Sequence, residues 1–197
     1  MSGVETAALA VMWTYVLGFL LLTTMASRAA GTSVWLFSVG KERQTLPAAL
    51  FRLAFVLGLV MPPVSKWLAE SEFGIGAEPA LGTAADVVGL MIMAAGAATA
   101  LYAQNHMGRS WRIGAAEGHL GVIVDTGPFG VSRNPVFVGQ AVLFLGSLLV
   151  FPTVLQTSVV IGLLWAIRLQ VEIEERVLSK ELGQPYADYR RRVRRWL

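Results

Sequence analysis

Glu174 is the residue whose surroundings most demand a chemical explanation. On a helix predicted over 168–182, Leu169, Val171, Ile173, Val177, Leu178 and Leu182 form a broad apolar arc, with Glu172, Arg176, Ser179 and Lys180 opposite. Glu174 falls inside the arc, about 40 to 60° from Val177 and Leu178 at 100° per residue. Gln170 stands one turn before it and Glu181 two turns after. A carboxylate turned toward a membrane-embedded interior is costly and marks a functional group that faces a cation. Glu172 and Arg176, at i and i+4, need only a solvated face. Gly183 and Pro185 end the helix.

The second concentration of polar chemistry is the stretch 104–134, QNHMGRSWRIGAAEGHLGVIVDTGPFGVSRN, with Arg109, Arg112 and Arg133, both histidines and the aromatics Trp111 and Phe129. It is far longer than a connector between helices needs, which predicts a binding lid or pocket wall. Other chemistries find no support. There is no GxGxxG after a strand and no GxxxxGK[ST], and Phe73-Gly74-Ile75-Gly76 reads as a turn. The chain has no Cys, so thiolate nucleophiles and Cys-ligated metals are excluded. His106 and His119, 13 residues apart, lack metal-ligand spacing and read as hydrogen-bonding loop residues, so no metal is expected.

The elements that must position these groups are apolar helices. Of 197 residues, 55 % are hydrophobic and 15 % charged, against about 25 % charged in soluble proteins. A hydrocarbon core of ~30 Å needs about 20 apolar residues, and spans are predicted at 7–25, 46–68, 83–103, 136–151 and 153–169. Pro62-Pro63 should kink or end the second span near its far side. Pro152 separates the last two into a tight hairpin, whose first arm at about 24 Å is short for an independent crossing. Arg52, six residues inside the second span, either snorkels to the interface or pairs with an acidic group in the bundle. The fold class expected is all-α: one integral membrane domain over 1–197, a bundle of about five transmembrane helices with a C-terminal cytoplasmic helix. Residues 1–103 form a three-helix part and 104–197 carry the loop, the hairpin and the C-terminal helix.

The formal charge of +3 lies wholly after position 167: residues 1–167 hold eight basic and eight acidic side chains, 168–197 eight and five. Arg28, Lys41 and Arg43, then the three loop arginines, then the five arginines between 190 and 195 all belong on the cytoplasmic side. The segment with Lys66, Glu70, Glu72 and Glu78 fits outside, giving a multi-pass cell-membrane protein with its N-terminus out and C-terminus in. The terminal arginines suit anionic headgroups rather than nucleic acid.

Gly108-Arg109-Ser110-Trp111, Val124-Asp125-Thr126-Gly127-Pro128-Phe129, Ser132-Arg133-Asn134-Pro135-Val136-Phe137, Glu174-Glu175-Arg176-Val177-Leu178 and Tyr186-Ala187-Asp188-Tyr189 follow one another in the order and spacing of a known pattern. Together they resemble the integral-membrane methyltransferases related to isoprenylcysteine carboxyl methyltransferase and phospholipid N-methyltransferase. The resemblance covers about 90 residues, 108–196. It implies a cofactor, S-adenosylmethionine, with S-adenosylhomocysteine as product, held without a Rossmann fold. By the same resemblance Gly121, Val122, Ile123, Val124, Phe129, Asn134, Pro135, Val136, Phe137 and Glu174 line the cofactor pocket. Glu174 and Arg133 are then the catalytic candidates, with Gln170 and Trp111 toward an apolar small-molecule or lipid-like acceptor drawn from the bilayer.

The chain departs from that pattern at three places. Asn134 stands where many members have His, and Phe129 and Phe137 where they have Tyr. Gln170 replaces an Arg that in the prenylcysteine enzymes is taken to read the substrate carboxylate, which argues against a prenylcysteine substrate. The competing expectations are an NADPH-dependent membrane reductase of sterol-reductase type and a non-catalytic membrane scaffold. Glu174 on the apolar arc and the long Arg133-bearing loop favour the methyltransferase.

Overall fold

The computed structural model describes residues 1–36, 45–70 (side chains through 68), 81–114 and 123–197. Among the described residues, six helices follow one another: α1 (Gly3–Ala30), α2 (Thr45–Glu70), α3 (Thr83–Met107), α4 (Pro135–Val150), α5 (Val154–Leu182) and α6 (Gln184–Arg192), with short 3₁₀ turns at Gly108–Ser110 and Gly127–Gly130. The protein is an all-α membrane bundle. Among the described residues, four helices are long and apolar enough to cross a bilayer, whereas α4, with 16 residues, reaches only about 24 Å.

One boundary differs from the sequence expectation. The fifth span and the C-terminal helix are one continuous helix of 29 residues, α5, because nothing between 154 and 182 breaks the 3.6-residue period. α2 covers the expected 46–68 span and runs through Pro62 and Pro63 to Glu70, so of the two effects expected of the prolines an end to the helix is not the one seen. In an apolar environment the carbonyls freed by proline have no water to turn toward, so the helix persists where a soluble one would stop.

α3 and α4 pack more extensively than any other pair. Their contact is built on four glycines, each seven residues from its mate: Gly89 and Gly96 on α3 face Gly146 and Gly139 on α4. A Cβ on Gly96 would lie 2.3 Å from the Leu143 nitrogen, and one on Gly139 2.5 Å from the Ala100 nitrogen. Two turns of backbone-to-backbone approach follow, which is how helices associate where lipid leaves no hydrophobic driving force between them.

The α4–α5 hairpin is closed by polar side chains. Thr153 caps α5 by accepting from the Gln156 N–H at 2.7 Å, and Gln156 Nε2 donates to Ser147 Oγ, also at 2.7 Å. α1 packs on α3 and α2 packs on α5, while Phe55 of α2 meets Phe144 of α4 edge to face at 5.0 Å. α1 and α2 touch each other only slightly, although Lys66 Nζ joins their far ends by donating to Glu5 at 2.8 Å.

Candidate functional site

At the end of the bundle where α1, α3 and α5 finish and α2 and α4 begin, polar segments are tied into one cap. Val34 and Leu36 exchange backbone hydrogen bonds with Ile113, at 2.8 Å each. Arg133 N–H donates to the Arg194 carbonyl at 2.8 Å, so the segment before α4 is stitched to the chain's end. Thr23 Oγ1 accepts from Gln104 Nε2 at 2.9 Å and from Trp111 Nε1 at 3.3 Å, joining α1, α3 and the loop beyond. Gly127 has φ +55°, and a Cβ there would lie 2.7 Å from the His106 ring, so this turn requires glycine on both counts. His106 sits on the last turn of α3 rather than in a loop, Nε2 to Thr126 Oγ1 at 3.0 Å, with its ring stacked on Phe129.

Beneath the cap lies a cavity of about 410 Å³. Its polar end carries Glu174 and Gln170, where Gln170 Nε2 donates to Glu174 Oε1 at 2.9 Å and fixes the carboxylate's orientation. Ile123, Val124, Phe129, Arg133 and Asn134 line it from the loop, and Pro135, Val136 and Phe137 from the first turn of α4. Trp111 also faces it. Every described residue in the candidate set of the sequence reading therefore borders the same space. Gly121 and Val122 lie outside the described residues, as do His119, Lys41, Arg43, Glu72, Glu78, the Phe73–Gly76 turn and the side chain of Glu70.

Three placements refine the sequence reading. Arg133 is engaged by a carboxylate of the chain itself: its guanidinium meets Glu175 Oε1 at 2.9 Å and donates to the Arg190 carbonyl at 3.3 Å, while its Nε–H has no partner among the described residues. Trp111 is buried, with its N–H satisfied by Thr23, and offers the cavity a ring rather than a donor. Asn134 Nδ2 donates to the Arg195 carbonyl at 3.0 Å.

Glu175, absent from the sequence expectation, is the keystone of the cap. Arg195 clasps it from the other side, Nη2 to Oε2 at 2.6 Å and Nε to Oε1 at 3.2 Å. That hydrogen bond holds the Arg195 guanidinium above its ordinary pKa. The tail's arginines are thus partly spent inside the protein, since Arg192 also meets Asp125 at 3.0 Å. α6 docks through Tyr186 and Tyr189, both buried. Tyr189 Oη donates to the Phe129 carbonyl at 2.8 Å, and burial pushes its phenol up to about 12. Burial, reinforced by the charge on Glu175, raises Tyr186 as well.

The deeper part of the cavity is walled by α1 and α2: Tyr15, Phe19, Phe51, Arg52, Phe55 and Leu59. Arg52 is exposed and lines this space, with no ion pair among the described residues. No motif pointed to these residues; the signal available was polar groups, Tyr15 and Gln140, inside otherwise apolar spans.

The bundle defines an integral-membrane protein with a cavity at one end of its helices. The profile of the phospholipid methyltransferase family matches residues 84–185, just over half the chain. The chain belongs to that family, which makes methyl transfer at a membrane its class of activity. Comparisons with curated proteins and with solved structures match nothing. The matched segment runs from α3 into α6, so α1 and α2 lie outside it.

Proposed function

We propose that the cavity binds S-adenosylmethionine at its Glu174 end and presents it to an apolar acceptor that enters sideways from the bilayer, at the cytoplasmic face. The observation that carries this reading is the sharing of one space: an oriented carboxylate and two phenylalanine rings at one end, and the apolar walls of α1 and α2 at the other. The volume lies within the roughly 300–1,000 Å³ usual for small-molecule and cofactor sites. The donor set fits the cofactor's charges. A sulfonium and an α-ammonium group favour a carboxylate and aromatic faces, supplied by Glu174, Phe129 and Phe137. Its carboxylate suits the unpaired Nε–H of Arg133 and the N–H groups of Val136 and Phe137, which have no helical acceptor in the first turn of α4.

The bound cofactor supplies an activated methyl group. The chain's own contribution is position and dryness. Glu174, held by Gln170, balances positive charge; Arg133 and Asn134 tie the polar wall to the tail; Trp111, Phe129 and Tyr189 seal the cap against water. Slight contact between α1 and α2 supports a lateral route between them for the acceptor. The three clusters of basic residues support an N-terminus outside and a C-terminus inside.

Calorimetric titration of the detergent-purified protein with S-adenosylhomocysteine and with NADPH tests this. Binding of the homocysteine product is expected, weakened at least tenfold by Glu174→Gln, a loss of about 1.4 kcal/mol or more. Binding of NADPH alone would reverse the assignment in favour of a reductase, and an unchanged affinity in the variant removes Glu174 from the site.

A further inference from the structure

Tyr15 and Gln140 meet inside the cavity on helices that otherwise present apolar surface. Gln140 Nε2 donates to Tyr15 Oη at 2.8 Å, and both residues are almost fully buried, at 2 % and 4 % exposure. Gln140 Oε1 has no hydrogen-bond partner among the described residues. Gln104 and Gln156 also leave a side-chain oxygen unpaired, but neither lines the cavity; Gln170 does line it, but its amide is engaged with Glu174 at the other end, whereas Gln140 and Tyr15 meet in the apolar part. An unpaired amide oxygen in an apolar wall is costly unless something brought to the wall satisfies it.

The pair leaves one acceptor, the Gln140 oxygen, beside one donor, the Tyr15 hydroxyl. Reversing the amide leaves the same complement, a free amide N–H beside the phenolic oxygen. The group that answers one donor and one acceptor at a single atom is an uncharged hydroxyl. Aromatic rings flank the pair: Tyr15 stacks on Phe55 at 5.9 Å and lies 6.1 Å from Phe19. The pair also sits away from Glu174's end. Gln140 is five residues beyond Pro135, roughly 7.5 Å deeper along α4, and Tyr15 is eight residues from Thr23, roughly 12 Å deeper along α1.

We propose that Tyr15 and Gln140 are the specificity-determining residues for the methyl acceptor, and that the acceptor is an apolar molecule with an uncharged hydroxyl remote from its methylated atom. This rests on the cavity being the methyl-transfer site. It gives α1, which lies outside the family match, a part in choosing the substrate: Tyr15 recognises the far end while the Glu174 end holds the reacting one. An acceptor with a plain hydrocarbon end leaves the Gln140 oxygen unpaired and is discriminated against.

Titration of the full-length protein in detergent with 2-naphthol and with 2-methylnaphthalene, each corrected against protein-free micelles, compares a hydroxyl with a methyl group of similar size. The wild-type protein is expected to bind 2-naphthol about tenfold more tightly, and Tyr15→Phe and Gln140→Met each to bring that ratio within about twofold. A wild-type ratio already under about twofold, or a tenfold ratio surviving in both variants, overturns the proposal. If Gln140→Met fails to fold, the wild-type ratio and Tyr15→Phe still decide. S-adenosylhomocysteine titrated into the same wild-type sample separates the two readings. Its binding without a naphthol preference overturns this proposal alone; a naphthol preference without its binding overturns the methyl-transfer assignment and leaves the recognition role of the pair standing.

Discussion

Replacing Glu175 by Gln tests whether the cap is held by charge. The Arg133 and Glu175 side chains are 10 % and 8 % exposed, and their ion pair is 2.9 Å long. Removing one partner of a buried pair costs about 3–5 kcal/mol, because the other charge is left without compensation. The Arg195 arm is 40 % exposed, so it adds no more than about 1 kcal/mol after screening. Gln keeps one acceptor for Arg133, which brings the expected loss to about 3 kcal/mol. This loss falls on the local opening of the tail rather than on the bundle. At 1.4 kcal/mol per tenfold, the Arg133 amide, which donates to the Arg194 carbonyl, should lose on the order of 100-fold in hydrogen-exchange protection. Amides around Leu143, deep between α3 and α4, serve as the internal reference and keep theirs. An Arg133 amide whose protection changes by less than about threefold would mean that backbone pairing and tyrosine docking hold the tail alone, and would refute the electrostatic account.

Three further perturbations follow from the packing. Gly139→Ala drives a methyl against the Ala100 nitrogen and the Gly96 carbonyl, at 2.5 and 2.6 Å, and should cost about 1–3 kcal/mol in an SDS-titration midpoint, while Gly162→Ala, with open space around it, should not destabilise. Thr23→Val removes the shared acceptor of Gln104 and Trp111 and should cost about 1–3 kcal/mol in the same assay, with a shift in tryptophan emission as the cap loosens. The Tyr189 phenol, raised from an ordinary 10.0 to about 12, favours its neutral form in the folded state. Its contribution to α6 docking is therefore complete below about pH 10 and lost as pH climbs through about 12. Tryptic release of the tail should rise across that interval, and Tyr189→Phe should flatten the rise.

Much of the architecture was legible because hydropathy and periodicity are local. Spans at 7–25, 46–68 and 83–103 are the interiors of α1, α2 and α3, and the shortness of α4 follows directly from Pro135 and Pro152. Glu174 could be singled out because a helix's angular arrangement depends on spacing alone. What bordered it could not. Glu175 and Arg195 are 20 residues apart, and nothing in their spacing announces an ion pair. Gly139 and Gly146, seven apart, become interpretable only when Gly96 and Gly89 are seen across from them.

The sequence by itself determined that this is an all-α membrane protein, which residues cluster toward a polar end, and through the order of its short motifs which family it joins. The tertiary structure alone decided that Glu175, beside the glutamate already singled out, is locked by two arginines. It also decided that α1 and α2, outside the family match, wall the deeper part of the cavity. The physical reason is one of range. Helix formation and amphipathicity are set within a few residues, whereas a cavity is the space left when helices distant in sequence pack, and its chemistry belongs to side chains that only packing brings together.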